Sequence, residues 1–298
     1  MPIVLVTGGS GYLGKCLVQG LSKNHEVFYT FTTTPVELPG KGFKVDFVSG
    51  DGLKACFEDI GHVDVVVNCA AIASPGACEK DPERARAINV PSRLIDCMSH
   101  CKSTKGGQPI LIHLSTDQVY DGSKNFWSES DEAHPINVYG KTKIEAELFI
   151  QSKWSNHVIL RSSIIWGKNS TMLDFIVNSL MSGKPAKFFQ DEYRCPIFIL
   201  DILQIVEALI KAEPAEMKQR LFNMGGPDRL SRVDMAKLVA ARCQLDASLI
   251  EEVPSASVPR GVASPLDISM DITRLKGLGV PLTPFSATLE QIFPEGTQ

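Results

Sequence analysis

The sequence has no apolar stretch long enough to span a bilayer. Its longest runs, such as VDVVVNCAAIA from Val63, fall short of the roughly 20 residues a transmembrane helix requires. No basic segment precedes the apolar opening MPIVLVTGG, so a secretory signal is not expected and the cytoplasm is the expected location. Charge is also scarce: a net −4 over 298 residues gives no electrostatic reason to expect nucleic acid or an anionic membrane as partner. Cysteine is present but unorganised. Cys16, Cys56, Cys69, Cys78, Cys97, Cys101, Cys195 and Cys243 include no CxxC pair and sit in no Cys/His cluster, so no metal site is expected. Several fall within predicted strands or helices, which reads as free thiols in a reducing compartment. There is no internal repeat and no low-complexity tract.

What remains is an ordinary globular composition, 44% hydrophobic and 21% charged, in a chain long enough for one large domain or two packed lobes. Apolar, β-branched runs alternate with amphipathic stretches. Strands are predicted at Ile3–Val6, His25–Phe31, Val63–Cys69, Ile110–Leu114 and His157–Leu160. Helices are predicted at Tyr12–Leu21, Asp51–Asp59 and Tyr139–Ser152, with helical spacing along the whole of Asp81–His100. Near-continuous hydrophobic strands separated by helices imply an α/β fold, a Rossmann-type doubly wound parallel sheet. Beyond Trp166 helical periods recur at Met172–Met181, Leu200–Lys211 and Ser231–Gln244. There the strands shorten, and Pro254, Pro259, Pro265, Pro281 and Pro284 mark loops. The expected organisation is a dinucleotide-binding domain over 1–166, completed by parts of 195–225, with a smaller C-terminal substrate lobe within 167–298.

Directly after the first strand comes Gly8-Gly9-Ser10-Gly11-Tyr12-Leu13-Gly14, which opens a helix. Gly8, Gly11 and Gly14 let the backbone turn tightly and approach a pyrophosphate. The helix N-terminus then offers free N–H groups and a favourable dipole. Strand before and helix after distinguish this loop from glycines that serve only turns. A ribose-binding acid would be expected about 20 residues on, at the end of the second strand. Phe28-Tyr29-Thr30-Phe31-Thr32-Thr33-Thr34 contains none, and the next acid is Glu37. A carboxylate there would repel a 2′-phosphate, so its absence tilts the cofactor toward NADP(H) over NAD(H). The threonines serve equally well as plain strand formers.

Downstream, Tyr139-Gly140-Lys141-Thr142-Lys143 begins a helix and sets Tyr139 and Lys143 on one face. A lysine ammonium beside a phenol favours the phenolate, so the tyrosine can exchange a proton. The same lysine can hold a cofactor ribose. The strand Ile110–Leu114 ends in Ser115-Thr116-Asp117, at the carboxyl edge where open α/β sheets place ligands. A hydroxyl there can steady a substrate carbonyl for hydride attack. Each feature taken singly fits a solvated helix face or a polar strand end.

With these residues in hand the chain resembles the extended short-chain dehydrogenase/reductases. Within them it is similar to the dTDP-4-dehydrorhamnose reductase branch, which also holds the regulatory beta subunit of methionine adenosyltransferase. The likeness is carried by VTGGSGYLG from Val6, VVNCAAIASPGACEKDPERARAINV from Val66, HLSTDQVYDG from His113, PINVYGKTKIEAE from Pro135 and LRSSIIWG from Leu160. RCPIFILDI from Arg194 and FNMGG from Phe222 echo it more faintly. The resemblance implies that Thr116, Tyr139 and Lys143 are the catalytic trio, with the tyrosine giving a proton to a carbonyl oxygen as NAD(P)H gives hydride to its carbon. It implies cofactor contacts from Gly8, Ser10, Gly11, Tyr12, Leu13 and Gly14, from Asp46 and Phe47 beside the adenine, from Ala70 and Ala71 beneath the cofactor, and from Asn89 in support. The segment between Thr116 and Tyr139 is slightly short for these reductases, so Ser115 is an alternative catalytic hydroxyl. Asp117, Cys195, Trp166, Tyr193 and Arg260 are the candidate substrate residues, although the lobe carries few nucleotide-sugar contacts.

Three functions fit these motifs. One is an NAD(P)H-dependent reductase of a sugar nucleotide or another small carbonyl compound. Another is a cofactor-binding regulatory subunit that modulates a partner enzyme, and a third is an epimerase that uses its cofactor transiently. A homodimer or a complex with a partner enzyme is compatible with each, and the fold does not choose among them.

Overall fold

The computed structural model describes residues 1–212 and 217–294. The chain begins with β1 (Ile3–Thr7), α1 (Tyr12–Leu21), β2 (Glu26–Phe31), β3 (Lys41–Lys44), α2 (Leu53–Ile60) and β4 (Val65–Asn68). Three short helices, α3 (Pro75–Lys80), α4 (Pro82–Asn89) and α5 (Ser92–Ser99), precede β5 (Ile110–Thr116), α6 (Val138–Lys153) and β6 (His157–Ser162). Then come β7 (Ile165–Trp166), α7 (Thr171–Met181), β8 (Ala186–Phe189), β9 (Tyr193–Arg194), β10 (Ile197–Phe198), α8 (Ile199–Lys211) and β11 (Leu221–Met224). The last elements are β12 (Leu230–Ser231), α9 (Arg232–Cys243), β13 (Ile250–Val253), α10 (Thr273–Lys276) and α11 (Phe285–Ile292).

Seven strands make one parallel sheet in the order β3-β2-β1-β4-β5-β6-β11. Every residue of β4 and β6 is buried, as strands covered on both faces must be. One face packs Val4, Val6, Val65, Val67, Ile112 and Leu160 against α1 and α8. The other packs Leu5, Val66, Leu111 and Ile159 against α2, α5 and the end of α6. This is the doubly wound Rossmann arrangement, and its last strand and one covering helix come from the second half of the chain. A separate apolar cluster joins Leu173 and Ile176 of α7, Met235 and Val239 of α9, and Phe285 and Leu289 of α11. It builds a smaller lobe beside the carboxyl ends of the strands.

Three details depart from the sequence reading. The helical stretch over Asp81–His100 is two helices, because Val90 is extended at φ −88°, ψ 111° ahead of Pro91, which removes a helical N–H. α3 was not anticipated, although Ser74 caps it by accepting the Ala77 N–H and Pro75 occupies its first turn. β3 was likewise unforeseen: four residues with no buried position leave no alternation to read. Among the described residues no helix is long and apolar enough to cross a membrane, and no group of three or more His, Cys, Asp or Glu could hold a metal ion.

Candidate active site

The carboxyl ends of β1, β4, β5 and β6 open into a cavity of about 480 Å³. A larger hollow of about 690 Å³ around Asp64, Thr104, Asn156 and Arg220 lies at the opposite, amino edge of the same strands. Parallel sheets of this type bind ligands at the carboxyl edge, so the smaller cavity is the candidate site.

The glycine loop forms one wall. Gly8 has φ +66°, and a Cβ there would come 2.9 Å from the Ala70 nitrogen, so the loop lies directly on the chain leaving β4. A Cβ on Gly14 would approach the Gly8 carbonyl oxygen to 2.2 Å, whereas one on Gly11 would meet only that oxygen, at 3.2 Å. Gly8 and Gly14 are thus required by the loop's own packing, and Gly11 faces the cavity. Gly11 is also the N-cap of α1 and supplies no side-chain hydrogen bond, which leaves the first N–H groups of the helix available to an anion. The buried Thr30 hydroxyl accepts the Gly8 N–H at 3.0 Å, which anchors the loop, while Thr32, Thr33 and Thr34 are exposed. A loop shaped in this way fits a dinucleotide pyrophosphate.

The opposite wall comes from β5 and α6. Thr116 ends the strand, and its hydroxyl accepts the Gln118 N–H at 3.2 Å and lies 3.2 Å from Asp117 Oδ1. Asn137 caps α6 by accepting the Gly140 N–H at 2.9 Å, and its amide nitrogen donates to Gln118 Oε1 and to the Ala263 carbonyl. Tyr139 and Lys143 then project into the cavity from successive turns. Burial pushes the Tyr139 phenol well above its usual range, and a hydrogen bond from Thr116 works against that rise. Burial pulls Lys143 down to about 8, with Glu147 opposing. Ser115 borders the same cavity, but its hydroxyl donates to Glu147 Oε1 at 2.5 Å. Glu147 also receives the Arg161 fork at 2.7–3.2 Å. The Ser115 proton is held at 2.5 Å by Glu147, whereas Thr116, whose longer 3.2 Å bond goes to Asp117 Oδ1, is the hydroxyl that acts on Tyr139.

Around the trio stands a polar end: Asp117, Ser163, Arg194 and Arg232. Burial pushes the Asp117 carboxyl up, and its Oδ2 has no partner. Arg194 is spent on structure, donating to the carbonyls of Tyr193, Pro265 and Leu266. Arg232 is held more loosely, 3.6 Å from Glu192, and burial draws it down to about 10. Sequence reasoning missed Ser163, Arg194 and Arg232. Arg194 neighbours two residues it named, and Arg232 follows Ser231 in a capping box with Asp234, a pattern that marks a helix start and not a ligand.

Other expected site residues lie elsewhere. Trp166 stacks on Phe285 with ring centroids 3.7 Å apart and is buried in the lobe core. Tyr193 carries the Arg229 guanidinium over its ring at 3.6 Å. Cys195 is buried against Met270, and burial pushes its thiol up to about 11. Arg260 pairs with Glu192 at 2.5 Å and lies over the Phe189 ring. None of these four lines the cavity, each being turned into packing or an ion pair; Asp117 does line it. Asn89 stands behind the wall, bonding the Ile72 backbone and the Thr142 hydroxyl. Tyr12, Leu13 and Ala71 line the cavity, and Ser10 and Ala70 do not. Asp46 caps a turn beyond β3 by accepting the Val48 N–H at 2.7 Å, and Phe47 packs on the nearby core.

A Rossmann sheet, a glycine cradle and a Thr–Tyr–Lys wall define a protein of the extended short-chain dehydrogenase/reductase class. More narrowly, the model of the RmlD substrate binding domain family matches residues 1–297, and the chain belongs to that family. It is 24% identical to methionine adenosyltransferase 2 subunit beta of Bos taurus, over 97% of this chain and 86% of that one. It is 26% identical to the probable low-salt glycan biosynthesis reductase Agl14 of Haloferax volcanii, over 91% and 90%. Among solved structures, dTDP-4-dehydrorhamnose reductase of Bacillus anthracis in complex with NADP superposes with a TM-score of 0.83 at 19% identity and full coverage of both chains. UDP-glucuronic acid 4-epimerase of Bacillus cereus, in complex with UDP-glucuronic acid and NAD, gives 0.80 at 23% identity, covering 98% of each.

Proposed function

We propose that the protein is a nicotinamide-dependent reductase of a keto group on a sugar nucleotide or a similar small carbonyl compound. The observation that carries this reading is the meeting of Thr116, Tyr139 and Lys143 with the Gly8–Gly14 cradle in one cavity. A reduced nicotinamide bound there supplies hydride to the carbonyl carbon. The N–H groups at the start of α1 hold its pyrophosphate, and Lys143 holds its ribose. Thr116 donates a hydrogen bond that fixes the carbonyl, and Tyr139 gives the oxygen its proton. Raised by burial, Tyr139 stays protonated through neutral pH, the state a proton donor needs. Asp117, Ser163 and Arg232 receive hydroxyl and anionic groups of the substrate. NADP(H) is slightly favoured over NAD(H), because no acid closes β2 to repel a 2′-phosphate.

Full-length likeness to a methionine adenosyltransferase beta subunit favours a second reading, a cofactor-binding regulatory subunit. Purified protein offered NADPH or NADH with a panel of 4-keto sugar nucleotides and simple carbonyls separates the two. Reduction is expected to consume cofactor, and Tyr139→Phe to lower the rate by about 10²–10⁴-fold with cofactor affinity kept. Absence of turnover across the panel, with tight association to another enzyme, would replace the reductase reading with the regulatory one.

A further inference from the structure

Thr7, Asn68 and His113 form one row across the sheet. Thr7 of β1 pairs in register with Asn68 of β4, and Asn68 with His113 of β5. All three are buried, and the row ends at the equally buried Lys143, whose Nζ lies 3.5 Å from His113 Nε2.

Valence places the hydrogens along this row. Thr7 Oγ1 accepts the Ala70 N–H at 3.3 Å and donates its own proton to the Asn68 amide oxygen at 2.5 Å. The Asn68 amide nitrogen then donates to His113 Nδ1 at 3.0 Å. A neutral imidazole that accepts at Nδ1 carries its proton on Nε2, and here that N–H faces Lys143. Aimed at an ammonium it has no acceptor; aimed at an amine it has one. We propose that Asn68 and His113 are positioning residues that favour the neutral amine of Lys143, Asn68 by setting the imidazole tautomer and His113 by donating its Nε2–H to Lys143 Nζ.

The other groups acting on Lys143 leave this preference in place. Glu147, one turn along α6, favours the ammonium but is already engaged by Arg161 and Ser115. Cys69 after β4 and Cys78 of α3 are thiols pushed up by burial, hence uncharged. Tyr139 is a phenol pushed up in the same way. Burial drives His113 well below its ordinary value, with Lys143 and His157 adding to the effect, so its ring is neutral. Lys143 itself is drawn down in the direction the row favours.

A consequence follows, and it rests on the reductase reading. After Tyr139 has given its proton to the carbonyl oxygen, the Lys143 ammonium returns one to the phenolate. The amine left behind accepts the His113 N–H until solvent restores its proton.

The test is nitrogen-15 correlation spectroscopy of the histidine rings in the cofactor-free, full-length protein, with His113 assigned by its loss in His113→Gln. The expected wild-type result is a proton on Nε2 and a bare Nδ1 from pH 6.5 to 9. A carboxylate in Asn68→Asp takes a proton on Nδ1, so that variant is expected to reverse the tautomer. It is also expected to raise the Lys143 midpoint, followed through carbon-13 at Cε, by about one pH unit, a tenfold change. A wild-type proton on Nδ1 overturns the proposal, and so does an unmoved Lys143 midpoint in a variant whose tautomer has reversed. If Asn68→Asp does not fold, the wild-type spectrum still decides. Neither readout involves turnover, so failure to reduce any carbonyl would sink the reductase reading and leave this test standing.

Discussion

Gly140 sits so close to Gln118 that a Cβ on it would come 2.2 Å from the Gln118 carbonyl oxygen. The helix that carries Tyr139 and Lys143 therefore rests backbone against backbone on the turn that follows Thr116. Gly140→Ala is expected to push the helix off this seat at a cost of about 1–3 kcal/mol, the usual range for overpacking. Thermal unfolding measures the cost. A midpoint equal to the wild type would contradict the close seating.

Two glycines of the cradle should behave differently. Gly11→Ala meets only the Gly8 oxygen, at 3.2 Å, so the protein is expected to keep its stability while dinucleotide affinity falls about tenfold or more. Gly14→Ala would drive a Cβ to 2.2 Å from that oxygen and is expected to lower the unfolding midpoint first. Parallel melting curves and cofactor titrations separate the two, and equal effects on both quantities would sink the assignment.

Lys143 predicts a pH-dependent stability. Its folded value, about 8, lies below the ordinary 10.5, so the unfolded chain binds more protons between those values and stability rises with pH across that window. Below about pH 8 the penalty of burying the ammonium is fully present, on the order of 3 kcal/mol for such a shift. Lys143→Met is therefore expected to stabilise the cofactor-free protein at pH 7, with the gain shrinking as pH climbs toward 10.5. Denaturant unfolding at pH 7 and pH 10 checks this, and a gain independent of pH would count against it.

The buried pair of Glu147 and Arg161 offers a further contrast. Their side chains are 1% and 5% exposed, and Glu147→Ala leaves the guanidinium without its counter-charge, at an expected cost of about 3–5 kcal/mol. Glu145, paired with Arg86 on the surface, should tolerate the same change with little loss. Chemical denaturation of the two variants gives the comparison directly.

Local patterns carried much of this fold and part of this site. Tyr12–Leu21 was readable to the residue because a glycine starts it and its apolar positions recur at helical spacing. Val90–Pro91 was in plain view as a break, yet the helical period on either side masked it. Thr116, Tyr139 and Lys143, which meet in one cavity, were legible as a group because their spacing and their place at strand and helix ends are local properties. Arg232 was not, since its position in the cavity depends on how α9 packs against α7, a contact between segments some 60 residues apart. Trp166 misled for the same reason: an aromatic after a strand looks like a ligand contact until Phe285 is seen lying flat upon it.

The side-chain amide of Asn137 bonds the Gly140 N–H, Gln118 and the Ala263 carbonyl at once, the last of these 126 positions away along the chain. One side chain thereby ties the start of α6 to the loop at Ala263. The Gly140 amide proton is held by the Asn137 side chain, and its exchange with deuterated solvent is expected to quicken in Asn137→Ala. The same variant is expected to free the Ala263 loop as well, so one substitution should be read by hydrogen exchange in two stretches far apart along the chain.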